Sequence, residues 1–146
     1  MQIHWGTVLL LAVAIVPLTA MADGPFDGHW EFQDQTEDGL YYGAELDLEQ
    51  HGDQVSGTWS DGSTQRVWAG SLKGNTQGHK LNVRFCSDGS FGNEPFVCPN
   101  FEPKSDLFVV SGDKLTWYRR RGSGFESYLV LQRGAKHRAV KKASAP

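Results

Sequence analysis

The sequence predicts an all-β protein that folds as an eight-stranded antiparallel up-and-down barrel, with a β-sandwich of the same strands as the alternative. Three observations predict this fold class. Apolar and polar residues alternate over several segments, as they do in strands with one buried face. Gly-containing tight-turn sequences separate these segments. No segment has the periodicity of an amphipathic helix.

Eight segments have the composition of strands. They are 29–33, 42–50, 55–60, 67–73, 80–86, 107–111, 115–119 and 128–133. The alternation within 42–50 and 80–86 predicts that five apolar side chains share the core: Leu46, Leu48, Leu81, Val83 and Phe85. The predicted turns are 51–53, 61–63, 74–75, 112–113 and 122–124. Because these connections are short, consecutive strands should pair, and closing the sheet removes its exposed edges.

The strand that opens with Gly28-His29-Trp30 is followed by hairpins such as the Gly-Asp-Gln-Val-Ser-Gly-Thr-Trp segment at 52–59. In these motifs the chain resembles the calycin superfamily, which comprises lipocalins and avidins. The resemblance implies a small exported barrel. The chain departs from classical lipocalins in having no helix pattern after its last strand, and it does not match the biotin-contacting residues of avidins. No binding residue is therefore carried over.

The chain divides into three predicted parts: a signal peptide at 1–22, one barrel domain at 23–133, and a basic disordered tail at 134–146. The apolar run at 7–18 has about 12 residues, fewer than the roughly 20 that span a bilayer. A small-x-small cleavage site follows at 20–22, although no Lys or Arg precedes the apolar run. An uncleaved membrane anchor is the alternative. Cleavage predicts a periplasmic or secreted protein with no membrane span.

The two cysteines, Cys86 and Cys98, are predicted to form a disulfide, because exported proteins meet an oxidising compartment. Two free thiols or a metal pair are the alternatives, but no His lies near either cysteine at zinc-ligand spacing. The bridge would tie the base of the irregular segment 87–103. In the chain-entropy model it would stabilise the fold by about 3 kcal/mol.

Charge is segregated along the chain. Residues 23–65 hold eleven carboxylates and no Lys or Arg, whereas residues 66–146 hold all 14 bases and six acids. Glu45, Asp47 and Glu49 fall on one side of a predicted strand. They form either an ordinary solvated face or a docking surface for a cationic protein; a calcium site would lack any recognised loop. An acidic, exported domain does not favour nucleic-acid binding.

The sequence carries no recognised catalytic motif. It has no Gly-x-Ser-x-Gly elbow, no zinc-hydrolase motif, no phosphate loop and no dinucleotide fingerprint. Paired carboxylates can cleave glycosides, but solvation explains acids on turns and polar strand faces. The sequence therefore predicts a protein that is not an enzyme and uses no cofactor or metal.

Aromatic residues have two possible roles. Trp30, Trp59, Trp68 and Trp117 are predicted to be core residues, and lining a ligand cavity is the alternative. Phe91, Phe96 and Phe101 in the tethered loop would either plug a barrel end or contact another protein.

These observations predict a periplasmic binding protein of the inhibitor or immunity type. Its partner would be a cationic exported protein such as a cell-wall-degrading, lysozyme-like enzyme. The predicted partner-binding residues are Glu45, Asp47, Glu49, Phe91 and Phe96. A lipocalin-like carrier of a small apolar ligand is the alternative function, and an enzyme without recognisable motifs is the third hypothesis.

Overall fold

The computed structural model describes residues 24–134, in which eight strands form one closed antiparallel barrel in chain order. The strands are β1 (Gly28–Gln35), β2 (Tyr41–His51), β3 (Gln54–Ser63), β4 (Arg66–Gln77), β5 (Lys80–Ser87), β6 (Asp106–Ser111), β7 (Lys114–Arg121) and β8 (Gly124–Arg133). The predicted fold class is confirmed, with a barrel rather than a β-sandwich. The predicted signal peptide at 1–22 and the predicted tail, except for Gly134, lie outside the described residues.

The barrel core follows from the alternation in β2 and β5. Leu46 and Leu48 point inward from β2, and their neighbours Glu45, Asp47 and Glu49 are exposed. All five side chains predicted to share the core do so: Leu46, Leu48, Leu81, Val83 and Phe85. Burying side chains of this size stabilises the fold by about 2 kcal/mol each.

Aromatic rings fill the middle of the barrel. The Phe85 ring centroid lies 5.2 Å from that of Trp117 and 6.1 Å from that of Phe108. Trp30 and Trp117 are buried, and Trp59 packs against the core, as predicted. The prediction of a core position is wrong for Trp68, which is 39% exposed because it lies near the start of β4 at the barrel rim.

Two predicted turns are wrong. Segments 61–63 and 74–75 lie inside β3 and β4, and the connections are 64–65 and 78–79. Glycines in these segments instead allow the backbone of the neighbouring strand to come closer than a Cβ would permit. A Cβ on Gly62 would lie 2.1 Å from the Arg66 carbonyl oxygen, and one on Gly74 would lie 2.0 Å from that of Asn82. The actual turn uses Gly78, whose φ of +62° suits a residue without a Cβ.

The two ends of the barrel differ, and we name them the closed pole and the loop pole. At the closed pole β1 begins and β8 ends. There the Arg133 guanidinium lies 4.1 Å from the centre of a Trp30 ring, and its Nη2 donates to the Pro25 carbonyl over 3.0 Å. The seam between β1 and β8 is short, with Trp30 opposite Arg133 and Glu31 opposite Gln132.

The loop pole carries the long connection at 88–105 between β5 and β6. The predicted disulfide is present: Cys86 and Cys98 are bonded, with Cα atoms 4.9 Å apart. Backbone hydrogen bonds extend the tether, since Ser87 donates to the Phe96 carbonyl over 2.8 Å and Cys98 donates to Ser87 over 2.9 Å.

Residues 24–134 contain no helix that is long and apolar enough to cross a membrane.

Candidate functional site

Four carboxylates lie together on the outer surface of β1 and β2, and we call this set the acid face: Glu31, Glu45, Asp47 and Glu49. Glu45 stands directly opposite Glu31 across the two strands. Like charges in that position destabilise a sheet. Among the ion pairs of the described residues, none joins an acid-face carboxylate to a Lys or Arg. The three carboxylates predicted from the sequence on β2 are therefore exposed, and Glu31 of β1 lies beside them.

His29 lies within the acid face and is 4% exposed. Its Nδ1 lies 2.9 Å from Asp47 Oδ1, and its Nε2 lies 3.7 Å from Glu31 Oε2. The ring thus lies between carboxylates of two strands and is hydrogen-bonded through Nδ1 to Asp47.

A groove of about 630 Å³ runs over the outer surface of β2, β3 and β4 next to the acid face. That volume lies within the range of about 300–1,000 Å³ that is usual for ligand pockets. Its lining includes Asp47 and Glu49 on one side, and Phe101 and Lys73 on the other. The Lys73 ammonium lies 4.1 Å from the centre of the Phe101 ring, which holds this loop residue against β4.

The loop aromatics occupy different places. Phe101 lines the groove, whereas Phe91 is 37% exposed and packs on Trp68 with ring centroids 5.7 Å apart. The Arg66 guanidinium lies 4.3 Å from the Phe91 ring centre. Phe96 is half-buried. The structure therefore places Phe101 beside the acid face, and Phe91 in a separate aromatic group with Trp68.

A polar cluster inside the loop pole was missed by the sequence analysis. Asp61 is 5% exposed and points into the barrel from β3. Arg119 of β7 donates to its Oδ2 over 2.7 Å, and Tyr128 of β8 donates to the same oxygen over 2.8 Å. The Tyr42 hydroxyl of β2 contacts both Asp61 and Tyr128. Four strands thus meet at one carboxylate.

Burial governs the electrostatics of this polar cluster. Burial raises the pKa of Asp61 to about 6, against the opposing effect of the Arg119 guanidinium. Burial also raises the pKa of Tyr128. The pKa of Glu102 is raised by burial and by the Asp106 carboxylate, against the opposing effect of Arg119.

The space beside this cluster is small. A depression of about 100 Å³ is lined by Arg119, Arg121, Glu126, Ser127 and Tyr128. It is well below the size of a typical ligand pocket, which is at least about 300 Å³. The cluster thus closes the barrel interior with satisfied polar groups, and the Arg119 guanidinium lies 3.4 Å from the centre of the Tyr128 ring. No buried side-chain polar atom lacks a partner within residues 24–134.

Both cysteines are in the disulfide. Between residues 24 and 134, no group of three or more His, Cys, Asp or Glu side chains is arranged to hold a metal ion. The groove offers carboxylates, hydroxyls, one ammonium, one imidazole and one phenyl ring.

Comparisons with protein-family models, with curated proteins and with solved structures found no match for this chain.

Proposed function

We propose that this protein is an exported, non-enzymatic binding protein of the inhibitor or immunity type, and that its partner is a cationic exported protein. A cell-wall-degrading, lysozyme-like enzyme is the leading candidate. The observation that carries the proposal is the acid face, where four carboxylates on adjacent strands lack Lys and Arg partners among the described residues. The proposed location is the periplasm or the extracellular space, and the proposed barrel type is calycin-like.

Charge supports this choice of partner. Residues 24–134 hold sixteen carboxylates and ten Lys or Arg residues. A negative face of this kind speeds encounter with a basic protein, and salt screens the attraction. Packing also favours this choice over the alternative carrier, because Phe85, Phe108 and Trp117 fill the middle of the barrel. An apolar ligand there would have to displace these rings.

The test measures association with a lysozyme-type muramidase by surface plasmon resonance at several salt concentrations. In the face variant, Glu45, Asp47 and Glu49 are changed to Lys. In the control variant, Asp34, Glu37 and Asp38 are changed to Lys, which gives the same net charge away from the acid face. We expect the association rate constant of the face variant to fall about tenfold or more at low salt. The control should keep most of its rate and its salt dependence.

The dissociation rate of the complex should show which aromatic residues of the loop contact the partner. Phe101→Ala removes the ring that lines the groove, and Phe91→Ala and Phe96→Ala remove the residues predicted from the sequence. Loss of a contacting aromatic speeds dissociation and leaves association nearly unchanged. Equal association rates for the face and control variants would overturn the proposed surface. An apolar ligand copurifying with the protein in place of a protein partner would favour the carrier.

A further inference from the structure

The groove next to the acid face has one acidic side, which suits a cationic segment. Its floor is formed by the outer backbone of Leu48, Gly57 and Leu72, since both leucine side chains are buried in the barrel core, and the Phe101 ring lies along one side. Asp47 and Glu49 stand at the opposite side, with side chains 67% and 81% exposed. Lys73 lies beside Phe101, so the positive charges of an occupant would have to face Asp47 and Glu49.

The chain itself leaves the barrel at this groove. The Gly134 amide, one residue beyond β8, donates to the His29 carbonyl over 2.9 Å. His29 is part of the groove lining and stands opposite Asp47 on β2. A Cβ on Gly134 would lie 3.3 Å from the Glu31 carboxyl carbon. Gly134 thus lies beside the acid face.

The sequence that follows Gly134 has the required composition. Residues 135–146 contain Lys136, Arg138, Lys141 and Lys142 and no Asp or Glu. Ala139 and Val140 lie between the two pairs of bases. Twelve extended residues reach about 40 Å. Strand β2 has 11 residues and is about 37 Å long, so the segment can reach every carboxylate of the acid face.

We propose that residues 135–146 dock in this groove, with their bases on the acid face. The tethered segment then competes with the cationic partner for the same surface; this competition, unlike the docking, rests on the proposed function. A short tether gives an effective concentration in the millimolar range, so the segment excludes weakly bound cations and yields to a tightly bound partner. Binding of non-specific polycations would thereby be suppressed.

The docking is tested without any partner. The full chain is compared with a tail-neutral variant in which Lys136, Arg138, Lys141 and Lys142 are changed to Gln. A fluorescent peptide of residues 135–146 should bind the tail-neutral variant about tenfold more tightly than the full chain, and salt should weaken this binding. Adding Glu45→Gln, Asp47→Gln and Glu49→Gln to the tail-neutral variant should abolish it. Equal peptide binding to the full chain and the tail-neutral variant, or binding that survives the Gln changes on β2, would overturn the docking.

The competition is tested with a lysozyme-type muramidase. The tail-neutral variant should associate several-fold faster than the full chain at low salt, and the two rates should converge at high salt. Equal association rates of the full chain and the tail-neutral variant with the muramidase would overturn the proposed competition. Peptide binding as expected without any muramidase binding would uphold the docking and refute the proposed partner. Muramidase binding without peptide binding would uphold the proposed partner and refute the docking.

Discussion

At the residue scale, Asp61 shows what the sequence conceals. Its place in an Asp-Gly-Ser triplet predicts a solvated turn. The residue is instead buried and accepts hydrogen bonds from Arg119, Tyr42 and Tyr128. Its partners are 19 to 67 positions away, so no local pattern could reveal them. One signal was available: Asp61 continues the inward phase of Val55 and Trp59 in β3.

The raised pKa of Asp61 makes stability depend on pH. The folded state holds the Asp61 proton up to about pH 6, whereas the unfolded chain releases it near the ordinary aspartate pKa of 3.8. Between these values the folded state binds more protons, so its stability falls as pH rises, by about 3 kcal/mol in all. Asp61→Asn removes this titration. We expect urea unfolding to show that the variant gains about 3 kcal/mol relative to wild type between pH 4 and pH 7.

Asp53→Asn, at an exposed position, is the matched control for the amide substitution itself. A free-energy difference between Asp61→Asn and wild type that stays constant across this pH range would show that burial does not hold the proton on Asp61.

At the element scale, glycine is where prediction from the sequence was least reliable. All eight strands were predictable, because alternation reports directly on a half-buried face. Two turns were misplaced because glycine is favoured both in turns and where the backbones of two paired strands approach closely. At Gly70 in β4, a Cβ would lie 1.9 Å from the Cys86 carbonyl oxygen. That oxygen accepts a hydrogen bond from the Trp59 indole over 3.1 Å.

The close approach at Gly70 predicts a large cost for a single methyl group. Gly70→Ala forces β4 away from β5 and disturbs the Trp59 hydrogen bond, so we expect a loss of about 3 kcal/mol or more in unfolding free energy. The control is Gly78→Ala, where no atom lies within 4 Å and only the positive φ is penalised. That penalty is about 1–2 kcal/mol. Chemical denaturation compares them, and equal losses would contradict the steric argument.

At the scale of the whole molecule, the barrel is closed unevenly. Strands β2 and β3 pair over ten residues, and so do β3 and β4, but the β1–β8 seam has two residue pairs. Closure was predictable from the number of strands and the short connections. The length of the seam was not, because it depends on how the first and last strands meet after all the others have paired.

The short seam should be the first part of the barrel to open. Local opening costs least where the fewest backbone hydrogen bonds must break. We expect hydrogen–deuterium exchange followed by mass spectrometry to show the fastest exchange among the strands in peptides covering the start of β1 and the end of β8, and the slowest in β2, β3 and β4. Uniform protection around the barrel would show that the side chain of Arg133 and its neighbours compensate for the missing pairs.

The closed pole also determines the orientation of the molecule when it is immobilised through a segment next to that pole. Residues at both limits of the described chain meet there, since Arg133 bonds to the Pro25 carbonyl. A tag or anchor attached directly before Gly24 or after Gly134 would therefore turn the closed pole toward the support, with the loop at 88–105 facing outward. The acid face runs lengthwise between the two, so a bulky partner would approach it from the flank. A sensor chip or display scaffold built on this protein needs a spacer long enough to free that flank.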